Sequence, residues 1–308
     1  MDHEQTLQTI NAMRRQEESE YFSCDYFQLD DNDHGYPSCK DMDSDDEAHG
    51  TSRAPSDATC RRIMFYWMIR VVDFFPCMNR ETVAYAMSYL DRFLQTQQGA
   101  EARRQRKVFQ LASISCLYVA VKLHEHAAVS PTFLEKLSHA EYSVNDVEQM
   151  ELRILQALKW RLSTPTALAF LRQYLAIIPS IMLKQSLSED VFLLAKYQTE
   201  VALTDYKYVT VNASTVAYCA LLNALDMFHV DNSQIAWFVS EAAHIERGSA
   251  YTIEVQRNLA RDHVEHAKFK ESPIPLVYDE AIRSSMKTPT PPEHLNSSPR
   301  TVCKAAAA

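Results

Sequence analysis

The sequence predicts an all-α fold of two tandem five-helix bundles. Apolar residues recur at helical spacing from about residue 58 to 268. Two segments, 108–123 and 212–226, carry small and large apolar residues on every side, as the central helix of a bundle does. With only 4 glycines in 308 residues, the chain lacks the turn chemistry that sheets and phosphate-cradling loops require.

In chain order, residues 4–22 read as a short amphipathic helix, with Leu7, Ile10, Met13 and Arg14 about one turn apart. From Asp25 to Asp57 the composition turns polar, and DMDSDDE (41–47) repels itself, which predicts a mobile linker with order beginning near Ala58. A helix over 58–74 then places Ile63, Met64, Trp67 and Val71 on one face and stops at Pro76. A second helix follows Asn79 and runs to about Gln95, striped by Val83, Ala86, Met87, Leu90 and Leu94. GAEARRQRK (99–107) is a charged connection, and its RRQRK run is a weak nuclear-localisation or phosphate-binding signal.

The third helix, 108–123, belongs in the middle of the first bundle. Pro131 opens a short fourth helix. Asn145 with Glu148 three residues on is a capping-box signature for a fifth, which ends near Trp160 and turns Val147, Met150, Ile154, Leu155 and Leu158 inward. Glu151 lies beside that stripe. Thr164 and Pro165 mark the start of the next helix, and further helices are expected at about 188–204, 212–226, 231–245 and 250–268. After Lys270, proline and polar residues predict a disordered tail.

Composition narrows the function. A net charge of -9 argues against nucleic-acid binding as the main activity. The 7 cysteines include no CxxC pair, so neither a disulfide framework nor a metal centre is expected, and no cofactor is implied. No signal-peptide run and no eighteen-residue apolar stretch appears, so the expectation is a soluble intracellular protein without membrane contact, in nucleus and cytoplasm. Charges held near helix packing, at Arg61, Asp91, Lys122 and Glu125, point to a docking platform rather than an enzyme.

At this level of detail the chain resembles the cyclins, the activating subunits of cyclin-dependent kinases. RRIMFYWM looks like the opening helix of the cyclin box, SYLDRFL like its second helix, LYVAVKLHE like its third, and MELRILQALKWRLSTPTALAFL like the fifth helix and the passage into the C-terminal fold. The match covers about 58–268, with the motifs in the family's order. The stretches LQTINAMRRQEESEY, ATCRRIMFYWM and LKW resemble G1-type, D-like cyclins, although no LxCxE motif stands near the start.

The resemblance implies roles for particular residues. Lys122 and Glu151 match positions that contact the kinase, flanked by Val119 and Leu123. Glu125 matches the second acid of the third helix's ending, while His124 replaces the first. Arg61 and Asp91 match a pair that ties the first helix to the second. Cys60, Ile63, Met64, Trp67, Arg70 and Gln110 match a patch that docks substrate or inhibitor peptides of RxL type. There Arg70 stands in place of an acid, Tyr66 in place of a second one, and Cys60 in place of a methionine, which alters the expected specificity. In the tail, Thr288 and Thr290 precede prolines and resemble phosphodegrons read by a ubiquitin ligase, and Ser272 and Ser298 are further candidate phosphosites. Two rival readings are a non-kinase helical adaptor in transcription and an enzyme using Cys116 or Cys219 with His124 or His126. The first usually brings a zinc ribbon or basic surface, and the second a recognisable catalytic spacing; this sequence has neither.

Overall fold

The computed structural model describes residues 3–29, 55–75, 78–126 and 142–271. Among these every regular element is helical: α1 (His3–Ser19), α2 (Ala58–Phe74), α3 (Glu81–Leu94), α4 (Ala100–Arg104), α5 (Arg106–His124), α6 (Val144–Ala157), α7 (Ala167–Ile177), α8 (Gln185–Ala202), α9 (Ala213–Met227), α10 (Ser233–Ala243) and α11 (Ala250–Glu271). Pro76, the expected fourth helix from Pro131, most of the acidic linker, and Thr288, Thr290, Ser272 and Ser298 lie outside the described residues. No helix among those described is long and apolar enough to cross a membrane.

Two cores form, and each is built around the helix the sequence marks as apolar all round. In the first bundle, residues 112–121 of α5 are all buried against α3 and α6. In the second, residues 214–225 of α9 are buried between α7, α8 and α11. The predicted stripe of α3 (Val83, Ala86, Met87, Leu90, Leu94) is fully buried. On α2 the stripe is rotated from the expected one. Met64 and Val71 point inward with Phe65, Met68 and Val72, whereas Ile63 is exposed and Trp67 half-buried.

Two helix starts differ from expectation. The capping box of α6 is Ser143 with Asp146, not Asn145 with Glu148: the Ser143 N–H donates to Asp146 Oδ2 (2.8 Å), and the Asp146 N–H donates to Ser143 Oγ (3.2 Å). The Ser143 hydroxyl, donating to Asp146 Oδ2 (2.7 Å), and the Ser143 N–H together hold the Asp146 carboxyl below its ordinary pKa. Thr166, not Thr164, caps α7 by accepting the Ala169 N–H (3.0 Å). Thr164 is taken by the first bundle, where its hydroxyl accepts from Ser88 (3.2 Å) and Arg92 (3.4 Å).

The helix expected over 4–22 is α1 (His3–Ser19), and the largest departure is that this segment packs into the fold ahead of Ala58. Helix α1 packs on the second bundle, against α7 and α10, with Ile10 inside that core. Its Glu17 is buried and serves the start of α9, accepting the Ser214 N–H (2.9 Å) and the Ser214 hydroxyl (2.7 Å), with Arg14 paired to it at 2.7 Å. A carboxylate there opposes the positive end of the helix dipole and fills donors the helix leaves open. Residues 20–29 then cross to the first bundle. Glu20 pairs with Arg161 (2.6 Å), the Tyr21 ring lies under Arg92 (4.5 Å), and Tyr26 is fully buried in the first core. The reading of Asp25–Asp57 as a linker is thus corrected at both ends. Asp25 accepts from the Tyr206 hydroxyl (2.7 Å), and Ser56 is buried with its hydroxyl on the Arg103 carbonyl (2.8 Å).

Candidate functional site

Lys122 and Glu151 meet on the surface of the first bundle. They are brought together because α5 and α6 pack side by side, so residues 29 apart in sequence form an ion pair. The Lys122 side chain is 41% exposed and Glu151 13%. The ammonium also sits 4.5 Å from the centre of the Tyr118 ring, a cation–π contact that fixes its direction. Each charge is therefore partnered within the chain, and both lie at a surface a second protein can reach. Leu123 beside them is 53% exposed and Leu152 44%. Val119, expected on this face, is 1% exposed and belongs to the first core, so its side chain offers no contact area.

Glu125 is engaged inside the chain. Its Oε1 accepts the Asn79 N–H (2.7 Å) and the Thr82 hydroxyl, which ties the end of α5 to the start of α3. His124 stacks on Tyr85 (3.7 Å between ring centres, 7° between planes). The Tyr89 hydroxyl donates to the Leu162 carbonyl (2.7 Å) and stands 2.9 Å from His124 Nε2. Since that hydroxyl proton is committed to Leu162, Nε2 carries the hydrogen and donates to the Tyr89 oxygen. Burial holds the imidazole below its ordinary pKa, against the pull of Glu81 and Glu125.

Sequence reasoning missed Trp160. Helix α6 ends in two successive left-handed residues, Lys159 (φ 53°) and Trp160 (φ 59°), and the tryptophan is 65% exposed. A bulky residue rarely takes this conformation, and such strain persists only where neighbours enforce it. Here Leu162 follows two residues later, and its carbonyl is anchored to the Tyr89 hydroxyl that also meets His124. No residue pattern signals positive φ at Lys-Trp.

Arg61 and Asp91 form a buried, two-pronged pair: Nε to Oδ1 and Nη2 to Oδ2, both at 2.8 Å, with side chains 3% and 9% exposed. Arg61 Nη1 donates to the Leu203 carbonyl of the second bundle (2.7 Å), and the Tyr26 hydroxyl donates to Asp91 Oδ1 (2.8 Å). Asp91 keeps the Arg61 guanidinium charged despite complete burial. The pair therefore joins α2, α3, the N-terminal segment and the second bundle at one point.

The α2 patch is only partly open. Ile63 is 37% exposed and Cys60, Trp67, Arg70 and Gln110 are half-buried, but Met64 is a core residue at 7%. The Tyr142 hydroxyl donates to the Lys107 carbonyl (2.8 Å) and stands 3.4 Å from Gln110 Oε1. Tyr66 is claimed by the second bundle, its hydroxyl 3.0 Å from His266 Nε2 on α11. In the RRQRK run, Arg103 donates to the Thr96 carbonyl (3.3 Å) and Arg106 to the Pro55 carbonyl (3.1 Å), so both turn back onto their own chain. Cys116 and Cys219 are buried and their thiols are pushed up, Cys219 to about 12, away from the thiolate a nucleophile needs. Among the described residues no group of three His, Cys, Asp or Glu is placed to hold a metal.

The family description "Cyclin, N-terminal domain" matches residues 10–163, and "Cyclin, C-terminal domain" matches 165–266. The chain belongs to the cyclin family. It is 30% identical to cyclin-B2-2 of Arabidopsis thaliana over 203 residues, covering 66% of this chain and 44% of that protein. It is 32% identical to G1/S-specific cyclin-D1 of Homo sapiens over 171 residues, covering 54% of this chain and 53% of that one. Cyclins of B and D name thus match at similar identity, and the expected D-like character is not distinguished. The chain spans less than two thirds of the length of these curated relatives. A crystal structure of a viral cyclin from herpesvirus saimiri shares the fold at a TM-score of 0.54 and 19% identity, covering 68% of this chain and 88% of that one. Cyclin-family proteins are regulatory subunits rather than catalysts.

Proposed function

We propose that this cyclin binds and allosterically activates a cyclin-dependent kinase in cell-cycle control, at G1 or the G1/S transition, and performs no chemistry itself. The observation that carries the reading is the Lys122–Glu151 pair at the edge of a face that also exposes Leu123 and Leu152. A preformed apolar surface with an ion pair at its edge suits docking of an amphipathic partner helix. The kinase's mobile regulatory helix, held there, would complete the Lys–Glu pair that orders ATP for phosphoryl transfer. Trp160, exposed just beyond the end of α6, supplies a further aromatic anchor. Glu125 acts through the chain, by fixing the start of α3 beneath that surface.

The stage assignment rests on the wording of residues 7–21, 58–68 and 158–160, and residence in nucleus and cytoplasm goes with it. Substrates or inhibitors engage Ile63 and Trp67 on α2, with Arg70 at the rim selecting against an arginine-bearing peptide. A ubiquitin ligase reads the tail after phosphorylation at Thr288 and Thr290. The test is co-purification of the chain from cell extract followed by a phosphorylation assay. The expected result is a bound kinase whose activity depends on the chain; recovery of the chain without any kinase overturns the reading.

A further inference from the structure

We propose that the cavity between the two bundles is a binding site for a small, uncharged, mainly apolar molecule with one hydrogen-bonding group, held by both bundles at once. The cavity has a volume of about 150 Å³. Its apolar wall combines Ala84 of α3 with Leu168, Ala202, Leu203 and Val216 of the second bundle. Space of this size is enough for a benzene-sized guest, and the cleft is open to solvent on one side, so a guest can enter.

The charges around the wall define what that guest is. Four carboxylates line the cavity, and each already holds a guanidinium: Glu17 with Arg14 (2.7 Å), Glu81 with Arg172 (2.7 Å), Asp91 with Arg61 (2.8 Å) and Glu200 with Arg80 (3.2 Å). A charged guest would lose its water and meet only closed pairs, whereas a neutral one avoids that loss. Ser23, Thr210 and Asn212 on the wall make no side-chain hydrogen bond among the described residues, and Asn212 is the carboxamide of the three. Asn212 precedes α9 in the capping position, yet its carboxamide makes no capping bond and has no hydrogen-bond partner among the described residues. Glu17 has displaced it by taking the Ser214 N–H from α1. The amide therefore offers both a donor and an acceptor to a guest.

A guest touching both bundles stabilises their docked arrangement by mass action. This site is separate from the Lys122–Glu151 surface and does not depend on the kinase reading. Phenol is the probe, with benzoate and benzylamine as charged counterparts, added to the full chain with methyl groups labelled for NMR. Phenol should shift the Leu168, Leu203 and Val216 signals saturably, leave Val147 of the first core in place, and raise the unfolding temperature. Asn212→Leu should weaken phenol about fivefold while retaining benzene, as expected for loss of one net hydrogen bond. Ala84→Leu, which fills the cavity, should abolish both. The proposal is overturned by the absence of saturable shifts at those three residues in the wild-type chain. Equal affinity for benzoate or benzylamine, or phenol binding unchanged by Asn212→Leu, overturns it as well.

Discussion

Replacing Asp91 by alanine strikes the point where four segments meet. The substitution leaves the Arg61 guanidinium, 3% exposed, without its counter-charge and the Tyr26 hydroxyl without its acceptor. Breaking a buried ion pair by removing one partner costs about 3–5 kcal/mol. An orphaned buried hydroxyl adds about 1–3 kcal/mol. Arg61 keeps its bond to the Leu203 carbonyl, which offsets part of the loss, so the expected cost is about 4–6 kcal/mol. That is a large share of the roughly 5–15 kcal/mol that stabilises a folded protein. Equilibrium urea unfolding followed by far-UV circular dichroism measures it. The companion chain carries Arg61→Met, Asp91→Leu and Tyr26→Phe together, so no charge or hydroxyl is stranded, and it should recover most of the loss. A cost below about 1 kcal/mol for Asp91→Ala, or a triple variant as unstable as the summed singles, would refute the role given to this joint.

Other outcomes follow from the same geometry. Glu17→Ala removes the acceptor at the start of α9 and should release α1, exposing Arg14 and Arg15 to trypsin while the bundles stay folded; unchanged resistance would contradict the docking of α1. For His124, the folded pKa lies below the unfolded value of about 6.5, so between the two the unfolded chain binds more protons. Stability therefore rises with pH through that window and is lost as pH falls through it. The urea midpoint of the wild-type chain should drop more than that of His124→Gln between about pH 7 and 5.5, and parallel curves would refute the assignment. Trp160→Ala should weaken kinase binding at least tenfold, about 1.4 kcal/mol, with little change in stability, because the ring is 65% exposed. A stability loss without weaker binding would make it a packing residue instead.

The helices were legible wherever burial imposed a period. Helix α2 falls at 58–74 as expected, and α5 and α9 sit at the bundle centres because apolar groups on every side leave no other place for them. The same feature hid Val119, since a helix apolar all round carries no mark of which side stays open. Caps slipped by two residues at Ser143 and Thr166 because each site offers two capping candidates. At α7 a tertiary contact decides between them, as Ser88 and Arg92 occupy Thr164. The N-terminal helix was legible at 4–22, but where it docks was unreadable for a different reason. Glu17 finds Ser214 across 197 positions of sequence, a pairing no local pattern announces. Tyr21, Phe22, Tyr26 and Phe27 do form an aromatic cluster ahead of the acidic run, and that was the available signal for a segment that packs.

The central claim is best tested by titrating purified cyclin-dependent kinase with the wild-type chain and with Lys122→Ala and Glu151→Ala, singly and together. Each single change should weaken binding or activation by about tenfold or more while the helical circular dichroism signal stays unchanged. Full affinity and full activation by a folded double variant would contradict the account.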